Sequence, residues 1–358
     1  MKKFLDSFKQ QNIGAGYLYF YIHLITEIAC FYCLSSILGN SILSWSIPFV
    51  YDAFAFVPQS LIGYFSDKYP KVNLGLVGIV LLIIGFLTYM FNVLPGTYTE
   101  LIILCLGNCC IHVNGAEVTL RCSKGKLSHS AIFVGGGAFG VVLGKIMTKN
   151  ILSIVFITFL MLSMIPFAIL AEKYKDTRTK DLCKGFNYHN PKINTGLLII
   201  LAVFVVMVRG YMGYGIPTTW NKTVIQTVLL YFMMGTGKCL GGILCDAFGI
   251  KRVAQISVLL ALPFLLFGDH IMIVSLLGIV MFSMTMSITL ALLVSVLKNK
   301  PGLAFGLTTI GLFLGIAPIF FIKLTTYTAH AVVISVFTII CYFILSIIIR
   351  KDNGNERN

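Results

Sequence analysis

Long apolar segments recur along the whole 358-residue chain and constrain its fold more than any other feature. A helix that crosses the hydrocarbon core of a bilayer needs about 20 mostly apolar residues. Twelve segments have about that length: 17–39, 43–66, 73–94, 99–121, 128–149, 151–171, 194–216, 223–246, 252–268, 270–297, 301–323 and 328–350. The sequence therefore predicts an all-α polytopic membrane protein with twelve transmembrane helices.

Charged side chains are too rare for a water-soluble fold. Asp, Glu, Lys and Arg make up 11% of the chain, whereas soluble domains carry about 25%. The net charge of +14 could mark a nucleic-acid-binding face, but its cations lie mainly between the apolar segments. No nucleotide-binding loop, zinc-protease motif or nucleophile elbow occurs. We therefore predict a protein that is not an enzyme, has no cofactor and binds no nucleic acid.

The positions of the cations predict the topology. If the twelve spans alternate, 21 of the 27 Lys and Arg residues lie in loops on one side and four lie on the other. Cytoplasmic loops carry the excess of Lys and Arg, so both termini are predicted on the cytoplasmic side of a plasma membrane. The basic segment 172–193, on the same side, would separate an N-terminal six-helix bundle (1–171) from a C-terminal one (194–358).

A short motif occurs at corresponding places in the two halves. Gly63 and Asp67 stand at the end of the second predicted span, and Gly242 and Asp246 stand at the end of the eighth. Both pairs are followed by cations, and the two copies are 179 residues apart. Paired repeats of this kind are typical of secondary transporters.

The repeated motif resembles the loop signature of the major facilitator superfamily. The second copy continues with Gly249 and is the closer match, whereas the first has Pro70 where the family usually has glycine. With twelve spans, the resemblance covers essentially the whole chain, and it implies two pseudo-symmetric six-helix bundles around a central cavity. It also implies a latch on the cytoplasmic side, formed by Gly63, Asp67, Lys68, Lys71, Gly242, Asp246, Lys251 and Arg252.

The chemistry of the motif allows two kinds of contact. Asp67 and Asp246 could accept hydrogen bonds from a helix N-terminus, or they could pair with the neighbouring cations. The alternative to a latch is that the two copies are only tight basic turns.

Two cations, Lys238 and Arg209, lie inside predicted spans. Charged side chains are costly in a bilayer, so such residues are functional candidates. Lys238 is expected near the midplane, with Gln59 as its counterpart in the first half. Both can face the seam between the halves, and both are candidate substrate ligands. Arg209 is predicted to bind an anionic group of the substrate, because a guanidinium can bind carboxylate or phosphate at two points. The alternative is a permanent pair with a buried acid.

Two carboxylic acids are candidates for proton coupling. Glu27 lies one helical turn after His23 in the first span, so the two share a face. A buried carboxyl group and an imidazole can both exchange protons near neutral pH. The second acid is Asp52 in the second span. A salt bridge that closes the outer gate explains this residue equally well. These residues make protons the predicted coupling ion.

The fourth span contributes two further pairs. Asn108 and His112 are one turn apart and are candidate substrate ligands, whereas Glu117 and Arg121 are spaced as a local ion pair. The cysteines two and three residues before His112 could suggest a metal site. Adjacent residues point to different faces of a helix, so we predict no metal there.

These observations predict a secondary active transporter that works by alternating access as a monomer in the lipid bilayer. The predicted substrate is a small polar organic anion or zwitterion, moved with protons. An exporter of hydrophobic compounds is the alternative, although superfamily exporters often carry Gly-Pro in the fifth span and no proline follows Gly136, Gly140 and Gly144 here. An intramembrane enzyme or a sensor on the same scaffold is a further alternative.

Overall fold

The computed structural model of the chain describes residues 14–40, 46–91, 93, 97–174, 183 and 185–350. In this part the chain is built from α-helices and contains no β-strand beyond one isolated bridge. The helices are α1 (Gly14–Asn40), α2 (Ser46–Phe56), α3 (Pro58–Lys68), α4 (Leu74–Met90), α5 (Thr97–Cys122), α6 (Ser128–Ile146), α7 (Ile151–Glu172), α8 (Thr195–Gly215), α9 (Val224–Phe248), α10 (Ile250–Phe267), α11 (Met272–Ser283), α12 (Thr285–Val296), α13 (Pro301–Ile316) and α14 (Tyr327–Ile348). A 3-10 turn, Ala317–Phe320, extends α13.

The fourteen α-helices of the described part form twelve spans, because two of the spans each consist of two helices that meet at a kink. The helices α2 and α3 meet at Val57, and α11 and α12 meet at Met284, and both linking residues keep helical dihedral angles. Pro58 causes the first kink, since its ring cannot donate a backbone hydrogen bond to Phe54 four residues earlier. The carbonyl of Phe54 instead accepts a hydrogen bond from the thiol of Cys109 at 3.3 Å.

The predicted spans are confirmed in number, and their ends differ from the helix ends by at most about four residues. Ten helices of the described part are long and apolar enough to cross a membrane, counting Met272–Val296 as one. Leu74–Met90 is shorter but also apolar, and the kinked pair α2–α3 completes the set. The chain is an integral membrane protein.

The packing of the helices repeats between the two halves. In the first half α1 packs on α6 and α4 on α5, and in the second half α8 packs on α13 and α10 on α11. Contacts between the halves follow the same symmetry, because α3 packs on α13 and α9 packs on α6. The fold is therefore two pseudo-symmetric six-helix bundles, with α3, α6, α9 and α13 along the seam.

The outer helices of each bundle present apolar side chains to the surroundings. Leu152 and Phe159 of α7 are 73% and 67% exposed, and Phe343 of α14 is 59% exposed. Exposed apolar surface of this extent belongs against lipid. The helices α5 and α11–α12, by contrast, are mostly buried inside the bundles.

A short stretch of the predicted linker ties the two bundles together. The hydroxyl of Tyr188 donates to the carbonyl of Gly125 between α5 and α6, at 2.6 Å. Its backbone N–H donates to Ser295 Oγ of α12, and its carbonyl accepts from the N–H of Arg350. The linker thus contacts both bundles at one end of the molecule, and the division into domains at residues 172–193 stays a prediction.

Candidate functional site

A central cavity of about 140 Å³ lies between the two bundles. One bound water needs about 10–15 Å³ of such space, so the cavity has room for a small organic molecule. Apolar and aromatic side chains form most of its wall. The polar and charged side chains that line it are His23, Glu27, Asp52, Asn108, His112, Arg209, Lys238, Ser283 and Thr309.

Two aspartates close one end of the seam by capping helices of the opposite bundle. Asp67 accepts hydrogen bonds from the backbone N–H groups of Gly302 and Leu303, at 3.0 and 2.8 Å, at the start of α13. Asp246 accepts them from Leu127 and Ser128, at 2.8 and 2.9 Å, at the start of α6. We call this end of the molecule the latch end and the opposite end the far end.

The chemistry of both caps is that of a carboxylate at a helix N-terminus. The first N–H groups of a helix have no partner within the helix, and the helix dipole favours negative charge there. The cavity begins beyond the caps, near the middle of the helices, and extends to the far end, where Tyr214 is 50% exposed. Hydrogen bonds between the bundles therefore close the latch end.

Glycine is required where the latch helices cross. A Cβ at Gly63 would overlap the carbonyl of Gly302, and one at Gly242 would overlap Ala131 and the carbonyl of Leu127. Any larger residue would separate the bundles at the places where the aspartates reach across. The close approach and the capping are thus parts of one structure, and it occurs twice.

The cations of the motif do not bind the aspartates in the described part of the chain. Lys251 donates to the carbonyl of Ser346 in its own bundle at 3.1 Å, and Lys68 lies over the ring of Tyr69. Among the described residues, no acid forms an ion pair with Lys71 or Arg252. Of the two kinds of contact that the sequence allows, the helix cap is the one observed.

The two copies of the motif differ in the turn that follows the aspartate. Gly249 links α9 to α10 with a φ of +90°, a conformation that side chains rarely allow. Pro70 stands at the corresponding place in the first copy, and proline cannot adopt a positive φ. The first turn is accordingly longer and runs from Tyr69 to Asn73, whose side chain caps α4.

A buried ion pair supports the first latch only. Arg121 Nη2 lies 2.6 Å from Glu117 Oε1, one turn apart on α5, and neither side chain is exposed. The hydroxyl of Ser66, next to Asp67, donates to Glu117 Oε2. The local pair that the sequence predicted is therefore observed; α5 extends to Cys122, so Arg121 lies within the helix, which packs on α3.

Glu27 is the centre of a polar cluster in the middle of the first bundle. Its Oε1 lies 3.4 Å from His112 Nε2 and 3.7 Å from His23 Nε2, and Asn108 Nδ2 donates to it at 3.1 Å. All four side chains are buried. The sequence predicted the pairs within α1 and within α5, and the structure brings the two pairs together.

Arg209 and Lys238 reach the same cavity from the second bundle. Neither forms a salt bridge within 4.0 Å with any acid in the described part of the chain, and Arg209 Nη1 has no hydrogen-bond partner there. Lys238 is near enough to be repelled by Arg209 and attracted by Glu27, although Glu27 lies beyond salt-bridge distance. The permanent pairs with Glu27 or Asp52 that the sequence left open are not observed.

Gln59 does not face the cavity, contrary to the sequence prediction. It is fully buried, and its Nε2 donates to the carbonyl of Ala55 within its own span at 2.6 Å. The offset of 179 residues relates it to Lys238, but its own helix, α3, packs against α13, where Gly306 lies against the backbone of Gln59 and Ser60. Asp52, two turns earlier, does line the cavity.

The cysteines of the fourth span lie apart from the imidazole of His112. Cys109 donates to backbone carbonyls of the kinked second span, and neither Cys109 nor Cys110 belongs to a group of three possible metal ligands among the described residues. The described residues contain one group with the spacing of metal ligands, His23, Glu27 and His112. The sequence missed it because its members come from two spans.

Contacts that the sequence did not predict join the bundles at the far end. Lys145 of α6 donates to the hydroxyl of Tyr231 of α9 at 2.8 Å and lies over the rings of Phe31 and Tyr231. Tyr231 is two turns before Lys238 on α9, so the helical spacing could have identified it.

Comparisons with known proteins agree on the fold. No protein-family model and no curated protein sequence matches the chain. Among solved structures, the E. coli fucose:proton symporter FucP is similar with a TM-score of 0.58 and 11% identity, over 90% of this chain and 97% of that one. The human organic anion transporter MFSD10 is similar with a TM-score of 0.66 and 12% identity, over 94% of this chain and 100% of that one.

Proposed function

This chain has the fold of the major facilitator superfamily, and we propose that it is a secondary active transporter. In this proposal the bundles rock about the central cavity, and the substrate is bound there in turn from each side of the membrane. Breaking both aspartate caps opens the latch end, which is the cytoplasmic end by the distribution of Lys and Arg. The closed caps describe a conformation that is accessible from the far end.

The observation that carries the substrate class is a pair of buried cations that no acid in the described part of the chain approaches within 4.0 Å. Arg209 is 8% exposed and Lys238 is partly buried, and both line the cavity. Burying two charges in one low-dielectric space is costly unless a counter-ion joins them. A small organic anion or zwitterion provides that charge, and a carboxylate or phosphate group can bind the guanidinium at two points.

We further propose that Glu27 and its two histidines carry the coupling proton. The Nδ1 atoms of His23 and His112 each bond a backbone carbonyl, of Phe133 and of Asn108, at 2.9 Å. The hydrogen of each neutral ring therefore lies on Nδ1, and the lone pair of each Nε2 points toward Glu27. Three converging lone pairs repel one another unless a positive ion lies among them, and a proton is the simplest such ion.

A ligand-binding assay tests the proposal that the substrate is a small organic anion or zwitterion. The purified protein would be heated with small carboxylates, phosphates, zwitterions, sugars and lipophilic cations, and its midpoint of thermal unfolding would be followed. A ligand at 100 times its Kd should stabilise the folded protein by about 2.7 kcal/mol. We expect carboxylates or phosphates to stabilise it, and Arg209→Gln and Lys238→Gln to remove the effect.

The matched control for that experiment is Lys222→Gln, a cation outside the cavity. It should leave the stabilisation unchanged. Stabilisation by lipophilic cations alone would contradict the anion proposal and favour the exporter of hydrophobic compounds.

Uptake into proteoliposomes tests the coupling. With an identified anion, transport by the wild type should rise when a pH gradient is imposed, and Glu27→Gln should still exchange substrate across the membrane without responding to the gradient. The response of Asp52→Asn to the gradient is compared with that of Glu27→Gln. Asp52 also lines the cavity, but the described residues show no hydrogen bond or ion pair between it and Glu27. A wild-type rate that ignores the gradient would refute proton coupling.

A further inference from the structure

We propose that His23, Glu27 and His112 form a binding site for a divalent transition-metal ion of the Zn²⁺ class, open to the cavity on one side. The site goes beyond the proposed transport of an anion and does not depend on it. One ligand atom from each residue lies within 4.8 Å of the other two. The distances from Glu27 Oε1, 3.4 and 3.7 Å, approach the spacing of about 3.3 Å between ligands of tetrahedral zinc.

The tautomers of both histidines suit metal binding. Metal-binding imidazoles usually donate their second N–H to a backbone carbonyl or a carboxylate, which orients the ring. The carbonyls of Phe133 and Asn108 do this for His23 and His112. Neither ring needs to rotate or lose a proton before its Nε2 can bind an ion.

Neighbouring side chains hold the three proposed ligands in position. Asn108 donates to Glu27 and holds its carboxylate toward the histidines. Phe305 stacks against the His112 ring on the side of the latch end, and Phe133 lies against the His23 ring. A Cβ at Gly137 would overlap the His23 imidazole, so this position admits the ring only because it lacks a side chain.

Two histidines and one carboxylate leave the fourth tetrahedral position unfilled. All three ligands line the cavity, so water or an anion in the cavity can occupy that position. Three protein ligands with one open position are typical of metal sites that exchange a ligand. Nitrogen and oxygen donors of this kind favour Zn²⁺, Co²⁺ or Ni²⁺ over Mg²⁺ or Ca²⁺.

Lys238 limits the charge at this site. It acts electrostatically on His23, Glu27 and His112, and a divalent ion beside one carboxylate would carry excess positive charge toward it. An anionic fourth ligand removes this repulsion. Neutralising Lys238 should therefore strengthen metal binding, although the same change should abolish anion binding.

Titration of the purified, full-length protein with Co²⁺ tests the site directly. Four-coordinate Co²⁺ absorbs intensely in the visible range, so we expect a saturable absorption at one ion per protein, which Zn²⁺ abolishes by competition. His112→Ala and Glu27→Gln should each weaken Co²⁺ binding more than about 100-fold, and Asn108→Ala, which removes a second-shell contact, by about 10–100-fold. Lys238→Gln should bind Co²⁺ more tightly than the wild type.

Two variants guard against misfolding and against stray binding. Gly137→Ala keeps all three ligands but should displace the His23 ring and weaken binding, and its folding is checked by its thermal unfolding midpoint. His270→Ala removes an exposed histidine next to Asp269 and should change nothing. Absence of the visible absorption in the wild type would overturn the proposal. Co²⁺ binding that persists in a folded His112→Ala or Glu27→Gln protein would also overturn it.

Discussion

The two bundles share the structure of their ends and differ in their interiors. Each contributes one aspartate that caps a helix of the other by accepting hydrogen bonds from two consecutive backbone N–H groups. In the interior of the first bundle, Glu117 contacts Arg121 and Glu27 contacts two histidines. The second bundle contributes Arg209 and Lys238 to the cavity, and no acid among the described residues lies within 4.0 Å of either cation. In the proposed mechanism, the repeated ends open and close the transporter. The first bundle binds the coupling proton, and the second bundle binds the anionic substrate.

The largest test of this difference compares two buried arginines. Arg121→Gln should destabilise the protein by about 3–5 kcal/mol, because it leaves Glu117 buried without its partner. Arg209→Gln should leave stability unchanged or raise it, because no acid loses a partner. Both are measured as thermal unfolding in the same detergent without substrate. An equal loss in both variants would mean that Arg209 is paired as permanently as Arg121.

The second test asks whether the two caps are equivalent. Asp67→Asn and Asp246→Asn should each shift the equilibrium by about 1–2 kcal/mol toward opening at the latch end, since each loses a charged cap. Spin labels at Lys71 and Lys298, exposed at the latch end of opposite bundles, would report the distance distribution. The double variant should show the sum of both shifts. An effect of Asp67 alone would show that the buried pair behind it makes the first latch dominant.

A smaller effect is expected at the far end. Tyr231→Phe removes the hydrogen bond from Lys145 but keeps the ring under the ammonium group. One such bond contributes about 0.5–1.5 kcal/mol, so the variant should widen the far end slightly. Labels on the far ends of α6 and α9 measure the change. Tyr211→Phe is the control, because its hydroxyl joins no hydrogen bond shown by the described residues. A narrower far end would contradict the role of this contact.

The smallest predicted effect is a pH dependence at the linker. Burial, with Lys298 and Arg350 nearby, holds the pKa of His189 below its ordinary value. If opening the latch end exposes this histidine, the open state binds the proton more readily, so the closed state gains stability as pH rises and loses it as pH falls through the ordinary range near 6.5. His189→Asn should reduce the pH dependence of the balance between the closed and the open state near pH 6.5. An unchanged profile would exclude His189 as its source.

The sequence already determined the membrane class, the number of spans and the position of the motif. These follow from local properties, since a span needs only its own apolar length and the duplication repeats letters at a constant offset. It also identified Glu27, His23, Asn108, His112, Arg209 and Lys238 as unusual, because polarity within an apolar run is visible without any structure.

Only the tertiary structure decided which of these residues meet. The two pairs on α1 and α5 converge on Glu27 because of how those helices cross, and no spacing within one helix encodes that crossing. Gln59 was misjudged because the repeat predicts its register but not the packing of α3 on α13. The aspartates bind helix N-termini and not cations because capping depends on which helix of the other bundle begins beside them. Sequence determines which polar and charged side chains each helix carries, and packing between helices determines what each of them contacts.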